Sequence, residues 1–154
     1  MSADATGTGA SAGTQGGSAS GAPEVLIIVG SESDRPRIQP ALTVLEQAGV
    51  AHELVVSSAH RDPDKTTRIA REAKGRGVRV IIAGAGLSAA LPGTVAAVSP
   101  LPVIGVPFAA GPLNGIDALL AIAQLPSGVP VGTVGIDNAK NAAHLALRIL
   151  GRVT

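Results

Sequence analysis

The stretch VLIIVGSESDRPRI, Val25 to Ile38, decides how the chain folds. Val25 to Val29 is a short aliphatic run with no polar alternation, the pattern of a strand buried on both faces. Pro36 follows two residues after Asp34, near the start of a helical stretch, where proline costs no hydrogen bond and the acid can cap free N–H groups. Ile38, Leu42, Leu45 and Ala48 then recur at helical spacing, and Gly49 stands at a plausible helix end. The stretch therefore reads as one βα unit with a Gly-Ser-Glu-Ser-Asp loop at the carboxyl end of its strand.

The same arrangement repeats along the chain. Further strands are predicted at Glu53 to Ser57, Val78 to Ala83, Pro102 to Val106 and Pro130 to Val134. Ile69, Ala70 and Ala73 recur at helical spacing, as do Ala142, Leu145, Ala146 and Ile149. Pro63 opens a helix after Asp62 as Pro36 does after Asp34, and Gly75 is placed to close it. Five βα units with strands this apolar imply an α/β fold, a flavodoxin-like doubly wound parallel sheet in a three-layer αβα sandwich. Residues 24–154 form one domain on this reading. Residues 1–23 are mostly Gly, Ala, Ser and Thr, with a single acid and no Lys or Arg, and are expected to be a disordered tail. They lack the basic start and apolar stretch of a signal peptide.

Composition narrows the function. Phe108 is the only aromatic residue, although 45% of the chain is hydrophobic, so Ala, Val, Ile, Leu and Gly must fill the core. A net charge of +1 and the lack of aromatic platforms argue against nucleic-acid binding. No uninterrupted apolar run approaches the roughly 20 residues that span a bilayer, so a soluble protein with no membrane contact is expected. The absence of cysteine is compatible with a reducing cytoplasm, and three scattered histidines make no metal-ligand spacing.

The chemistry-bearing residues gather at strand ends. Ser31, Ser33 and the backbone N–H groups around them follow the first strand and would face an anion at a helix N-terminus. Asp34 could instead accept hydrogen bonds from ribose hydroxyls. Ser58, Ala59, His60 and Arg61 follow the second strand in the same way. A guanidinium beside hydroxyls suits a phosphate, and an imidazole, ordinarily titrating near pH 6.5, can take and return a proton. His52, at a strand start, and His144, on a helix face, read as bystanders. After the third strand, Gly84 to Ala89 matches a relaxed G-x-G-x-x-A fingerprint. It follows the wrong strand, and no acid stands about 20 residues on, so a dinucleotide site is excluded. Its small residues let the backbone approach a compact planar ligand. These features point to an enzyme acting on a phosphorylated small molecule.

Seven segments in order carry a family resemblance: Gly30 to Asp34, Ser58 to Pro63, Gly84 to Gly93, Leu101 to Pro107, Leu113 to Leu120, Leu125 to Val131 and Asn141 to Ala143. Together they resemble the N5-carboxyaminoimidazole ribonucleotide mutases and related aminoimidazole ribonucleotide carboxylases of purine biosynthesis. The resemblance implies a flavodoxin-like subunit, a cytoplasmic homo-octamer, and no metal or organic cofactor. It implies a ribonucleotide bound at Ser31, Ser33, Asp34, Ser58, Ala59 and Arg61, its phosphate held by these first two loops, with the aminoimidazole against the glycine-alanine loop at Gly86, Ser88, Ala89 and Leu91. It further implies carboxyl transfer through carbon dioxide, with His60 as the catalytic proton-transfer residue. Ala90 stands where the mutases typically have a second His, and Ser88 echoes the class that uses free carbon dioxide. Arg61-Asp62 differs from the Lys-Gly of that class, and Asp62 replaces the usual Thr. Carboxylation by free carbon dioxide, decarboxylation, action on a related ribonucleotide, and a non-catalytic binding subunit are the alternatives.

Overall fold

The computed structural model describes residues 15–16 and 21–152. Six strands, β1 (Gln15–Gly16), β2 (Val25–Val29), β3 (His52–Val56), β4 (Val80–Gly86), β5 (Val103–Phe108) and β6 (Gly132–Thr133), form one sheet in the order β1-β3-β2-β4-β5-β6. β2 to β6 are parallel, and β1 pairs antiparallel with the outer edge of β3. The five parallel strands, counted from β2, have the flavodoxin-like order 2-1-3-4-5. The expected α/β fold is thus the observed one.

Five helices cover the sheet: α1 (Arg35–Gln47), α2 (Pro63–Glu72), α3 (Ala90–Val98), α4 (Ile116–Ala123) and α5 (Ala139–Ile149). Alternate residues of β2 show why its run has no polar position. Val25, Ile27 and Val29 pack with Ile38, Leu42 and Leu45 of α1 and Ala142, Ala143 and Ala146 of α5. Leu26 and Ile28 belong to the opposite core, with Ala70 of α2, Val95 of α3 and Ile122 of α4. No helix among the described residues is long and apolar enough to cross a membrane.

Glycine sets the thickness of these layers at two points. A Cβ at Gly84 would overlap the Phe108 ring, and one at Gly105 would overlap Ile122 Cγ2. The chain's one aromatic residue is therefore accommodated by a missing side chain on the neighbouring strand.

Several boundaries differ from the sequence reading. β3 starts and ends one residue earlier than expected, β4 runs on to Gly86, and β5 to Phe108. The fifth parallel strand contracts to Gly132–Thr133 at the sheet edge, where it has one partner. Helix α2 leads into a 3-10 turn that contains Gly75, and the left-handed closing residue is Gly77, at φ 96°. Asp62 caps α2 by accepting from Lys65 N–H at 3.1 Å, whereas the Asp34 side chain makes no capping bond to α1. The expected tail lies largely outside the described residues. Of that stretch, Gln15–Gly16 pairs with Leu54 and Glu53, which needs backbone groups alone on the tail side.

Candidate active site

The order β3-β2-β4 sets the loops after these three strands side by side at the carboxyl edge, where the chain direction across the sheet reverses. They enclose a cavity of about 100 Å³ lined by Gly30 and Asp34, by Ser58, Ala59 and His60, and by Ala85, Gly86, Ala89, Ala90 and Leu91.

The first loop is a tight 3-10 turn, Glu32–Asp34. Ser31 Oγ accepts from Ser33 N–H at 3.3 Å and lies 2.9 Å from Ser33 Oγ, so the two hydroxyls are each other's partners. Arg35 pairs with Glu32 and holds its carboxyl below the usual range. Burial pushes the Asp34 carboxyl above the usual range, against the opposing pull of Arg37 and of hydrogen bonding to the Ser31 backbone. A carboxylate here can accept from a neutral hydroxyl but repels a phosphate by like charge.

The second loop is held by its own serine. Ser58 Oγ accepts from Arg61 N–H at 3.2 Å, and Ser58 C=O accepts from Asp62 N–H at 2.9 Å. This turn carries His60 and Arg61 out to exposed positions.

In the third loop Ala89 N–H donates to Gly86 C=O at 3.0 Å, and Leu87 and Ala89 adopt left-handed φ values of 52° and 33°. Such values are costly for residues with a Cβ and persist where the surroundings enforce them. Ala89 is the N-cap of α3 and offers no side-chain cap. The first turn of α3, in which Pro92 has no N–H, thus reaches the cavity wall at Ala90 and Leu91 with its positive end uncapped by a side chain, which favours a carboxylate there.

Of the residues expected at the site, Asp34, Ser58, Ala59, His60, Gly86, Ala89 and Leu91 line this one cavity. Ser31, Ser33, Arg61 and Ser88 stand on the same three loops but outside its lining. Ser33, Arg61 and Ser88 are exposed. Gly30, of the anion-facing first loop, and Ala85, of the run of small residues after the third predicted strand, line it as well, although neither was singled out as a binding residue. Asp137, outside the cavity lining, has partners that local pattern does not reveal. Its carboxylate accepts from Arg37 Nη1 at 2.9 Å and from Ala109 N–H at 3.1 Å.

The family model for AIR carboxylase matches residues 24–154, the whole of the expected domain. The chain belongs to the AIR carboxylase family. Among its relatives, an N5-carboxyaminoimidazole ribonucleotide mutase of Pyrococcus horikoshii is 57% identical over 129 residues, covering 84% of this chain and 73% of the relative. The mutase of Thermotoga maritima is 54% identical, with 84% and 75% covered. A phosphoribosylaminoimidazole carboxylase of Schizosaccharomyces pombe is also 54% identical over 83% of this chain, a match that spans 23% of that relative. The crystal structure of Treponema denticola PurE superposes with a TM-score of 0.76 at 28% identity, covering 86% of this chain and 82% of that one. Within the AIR carboxylase family, the resemblance read from the seven segments therefore extends to whole-domain similarity.

Proposed function

We propose that this protein is an N5-carboxyaminoimidazole ribonucleotide mutase, moving a carboxyl group from the exocyclic nitrogen to carbon 4 of the ring in purine biosynthesis. The observation that carries the reading is the convergence of His60, Asp34 and Ser58 with the glycine-alanine loop on one small cavity. Mutase relatives at 54–57% identity support the choice of substrate.

The chemistry balances without an outside reactant. The N–carboxyl bond breaks as carbon dioxide leaves, and the nitrogen takes a proton from His60. Carbon 4, enamine-like and nucleophilic, attacks the carbon dioxide before it escapes. His60 then recovers the proton displaced from carbon 4 and returns to its starting state. The positive end of α3, at Ala90 and Leu91, offsets the charge of the new carboxylate. Arg61, Ser31 and Ser33 supply donors for the phosphate, and Asp34 accepts from the ribose.

The assembly we propose is a homo-octamer, and the reaction is placed in the cytoplasm, because a phosphorylated substrate does not cross a bilayer unaided. Leu113, Ile116 and Leu120 support subunit contact, being 57%, 51% and 48% exposed on one loop and the helix it opens. A second reading, carboxylation by free carbon dioxide or the reverse decarboxylation, is favoured by Ala90, which lines the cavity and whose side chain can neither bind a carboxylate nor relay a proton.

A turnover assay separates the readings. It offers the carbamate substrate, aminoimidazole ribonucleotide with bicarbonate, and the carbon-carboxylated product in turn. Conversion of the carbamate is expected to dominate. Turnover confined to the other two substrates would overturn the mutase reading, and binding without turnover of any would leave a binding subunit.

A further inference from the structure

Beneath the His60 turn lies a buried pair of hydroxyls that the proposed chemistry does not use. Ser57 and Thr66 are 3% and 0% exposed, and their Oγ and Oγ1 atoms are 2.8 Å apart. Thr66 Oγ1 also donates to the Asp62 carbonyl at 3.1 Å. A hydroxyl has one proton to give, so with that of Thr66 on Asp62 the Ser57 hydroxyl is the donor within the pair. The bonds run in one direction, from Ser57 through Thr66 to Asp62.

This chain of bonds joins the two ends of the turn that holds Ser58, His60 and Arg61. Ser57 N–H is itself fixed on Val29 C=O at 2.9 Å, the last residue of β2. At the other end, Asp62 is bonded to Ser58 through its N–H and to Lys65 N–H through its carboxylate. Lys65 Nζ also reaches Val56 C=O at 3.1 Å, so the first turn of α2 grips the strand end as well. Packing alone would not need two hydroxyls here, since a pair of apolar side chains of similar shape avoids the cost of burying polar atoms. What the hydroxyls add is direction.

We infer that Ser57 and Thr66 are positioning residues that set the His60 turn against the cavity. The inference rests on the proton-transfer reading of His60 given above.

The test compares Thr66→Val, Thr66→Ser, Ser57→Ala and the double variant Ser57→Ala/Thr66→Val, with His60→Asn alongside. Each is measured for kcat on the carbamate substrate, for ribonucleotide affinity and for melting temperature. Misplacement of a reacting group by about 1 Å can cost on the order of 10²-fold, so a fall in kcat of about tenfold or more is expected for Thr66→Val and Ser57→Ala. Affinity should change far less, and Thr66→Ser should restore kcat. The double variant leaves no hydroxyl of the pair unpartnered and should regain melting temperature while kcat stays low. Should Thr66→Val fail to fold, Ser57→Ala and the double variant decide. Wild-type kcat in the double variant, with His60→Asn inactive, would show that the pair only packs, and the inference is overturned while the His60 reading stands. Full activity in His60→Asn would instead overturn that reading, and the inference with it.

Discussion

Arg37 and Asp137, separated by 100 positions in the chain, meet in a 2.9 Å ion pair that ties the first turn of α1 to the loop before α5. Asp137 has φ 54°, a left-handed conformation that a residue with a Cβ rarely adopts, and its carboxylate also accepts from Ala109 N–H at 3.1 Å. Both side chains are partly exposed, so the Coulombic share of the pair is modest. Asp137→Ala keeps the backbone strain and loses both bonds, and should destabilise the fold by about 1–3 kcal/mol. Asp137→Gly loses the bonds but relaxes the backbone, and should cost less. Urea unfolding of the two variants checks this, and equal losses would show that the left-handed backbone carries no strain.

His60→Asn should lower kcat by about 10²- to 10⁴-fold while ribonucleotide affinity, measured by calorimetry, survives. Phosphate binding needs no proton transfer, whereas the proposed carboxyl migration needs it twice. Activity within a few-fold of wild type would remove His60 from the mechanism.

Arg61→Ala should weaken ribonucleotide binding by about 1.5–3 kcal/mol, the worth of a charge-assisted hydrogen bond. Arg61 stands exposed outside the cavity lining, free to reach a bound phosphate without contributing to the core. Its melting temperature should therefore stay that of the wild type. Unchanged affinity would place the phosphate elsewhere.

Asp34 makes a pH-dependent prediction. Burial raises its carboxyl pKa above the ordinary 3.8, so the folded state holds its proton to higher pH than the unfolded state does. Stability must then fall as pH rises from 3.8 through the raised folded value, and the penalty is complete above it. Asp34→Asn should melt higher than wild type at neutral pH. Its advantage should shrink as pH drops through the carboxylate range, while affinity for the ribonucleotide decreases at neutral pH. An advantage independent of pH would show that burial of the ionised carboxylate is not its cause.

Gly84 and Phe108 should behave as one unit. A Cβ at Gly84 overlaps the ring, so Gly84→Ala should cost about 1–3 kcal/mol as an overpacked core. In a Phe108→Leu background the same substitution should cost less, and a double-mutant cycle reads the difference. Additive losses would mean that the ring moves aside freely.

The sequence was most legible where local pattern and global position agree. Val25 to Val29 was read to the residue, because burial on both faces leaves no polar position to blur its ends. Gly84 to Gly86 read as loop by composition, yet these residues continue β4, paired with Val106 to Phe108, and Gly84 lies under an aromatic ring that a side chain would displace. Pro130 and Val131 read as strand, but Pro130 has no N–H to give a ladder at an edge. In the site, Ser31 and Ser33 were recognisable as loop hydroxyls, while their bond to each other was not. Asp137 was invisible for a different reason: its partners are distant in the chain, and nothing near position 137 records them.

The nearly ring-free core has an optical consequence. With no Trp, no Tyr and a single Phe, the protein contributes almost nothing to near-ultraviolet absorption. An aminoimidazole bound at the cavity would be the only strong chromophore in the sample, even with enzyme in excess over ligand. Single-turnover spectra could then follow the ring from carbamate to product within the bound complex, separating binding, chemistry and release.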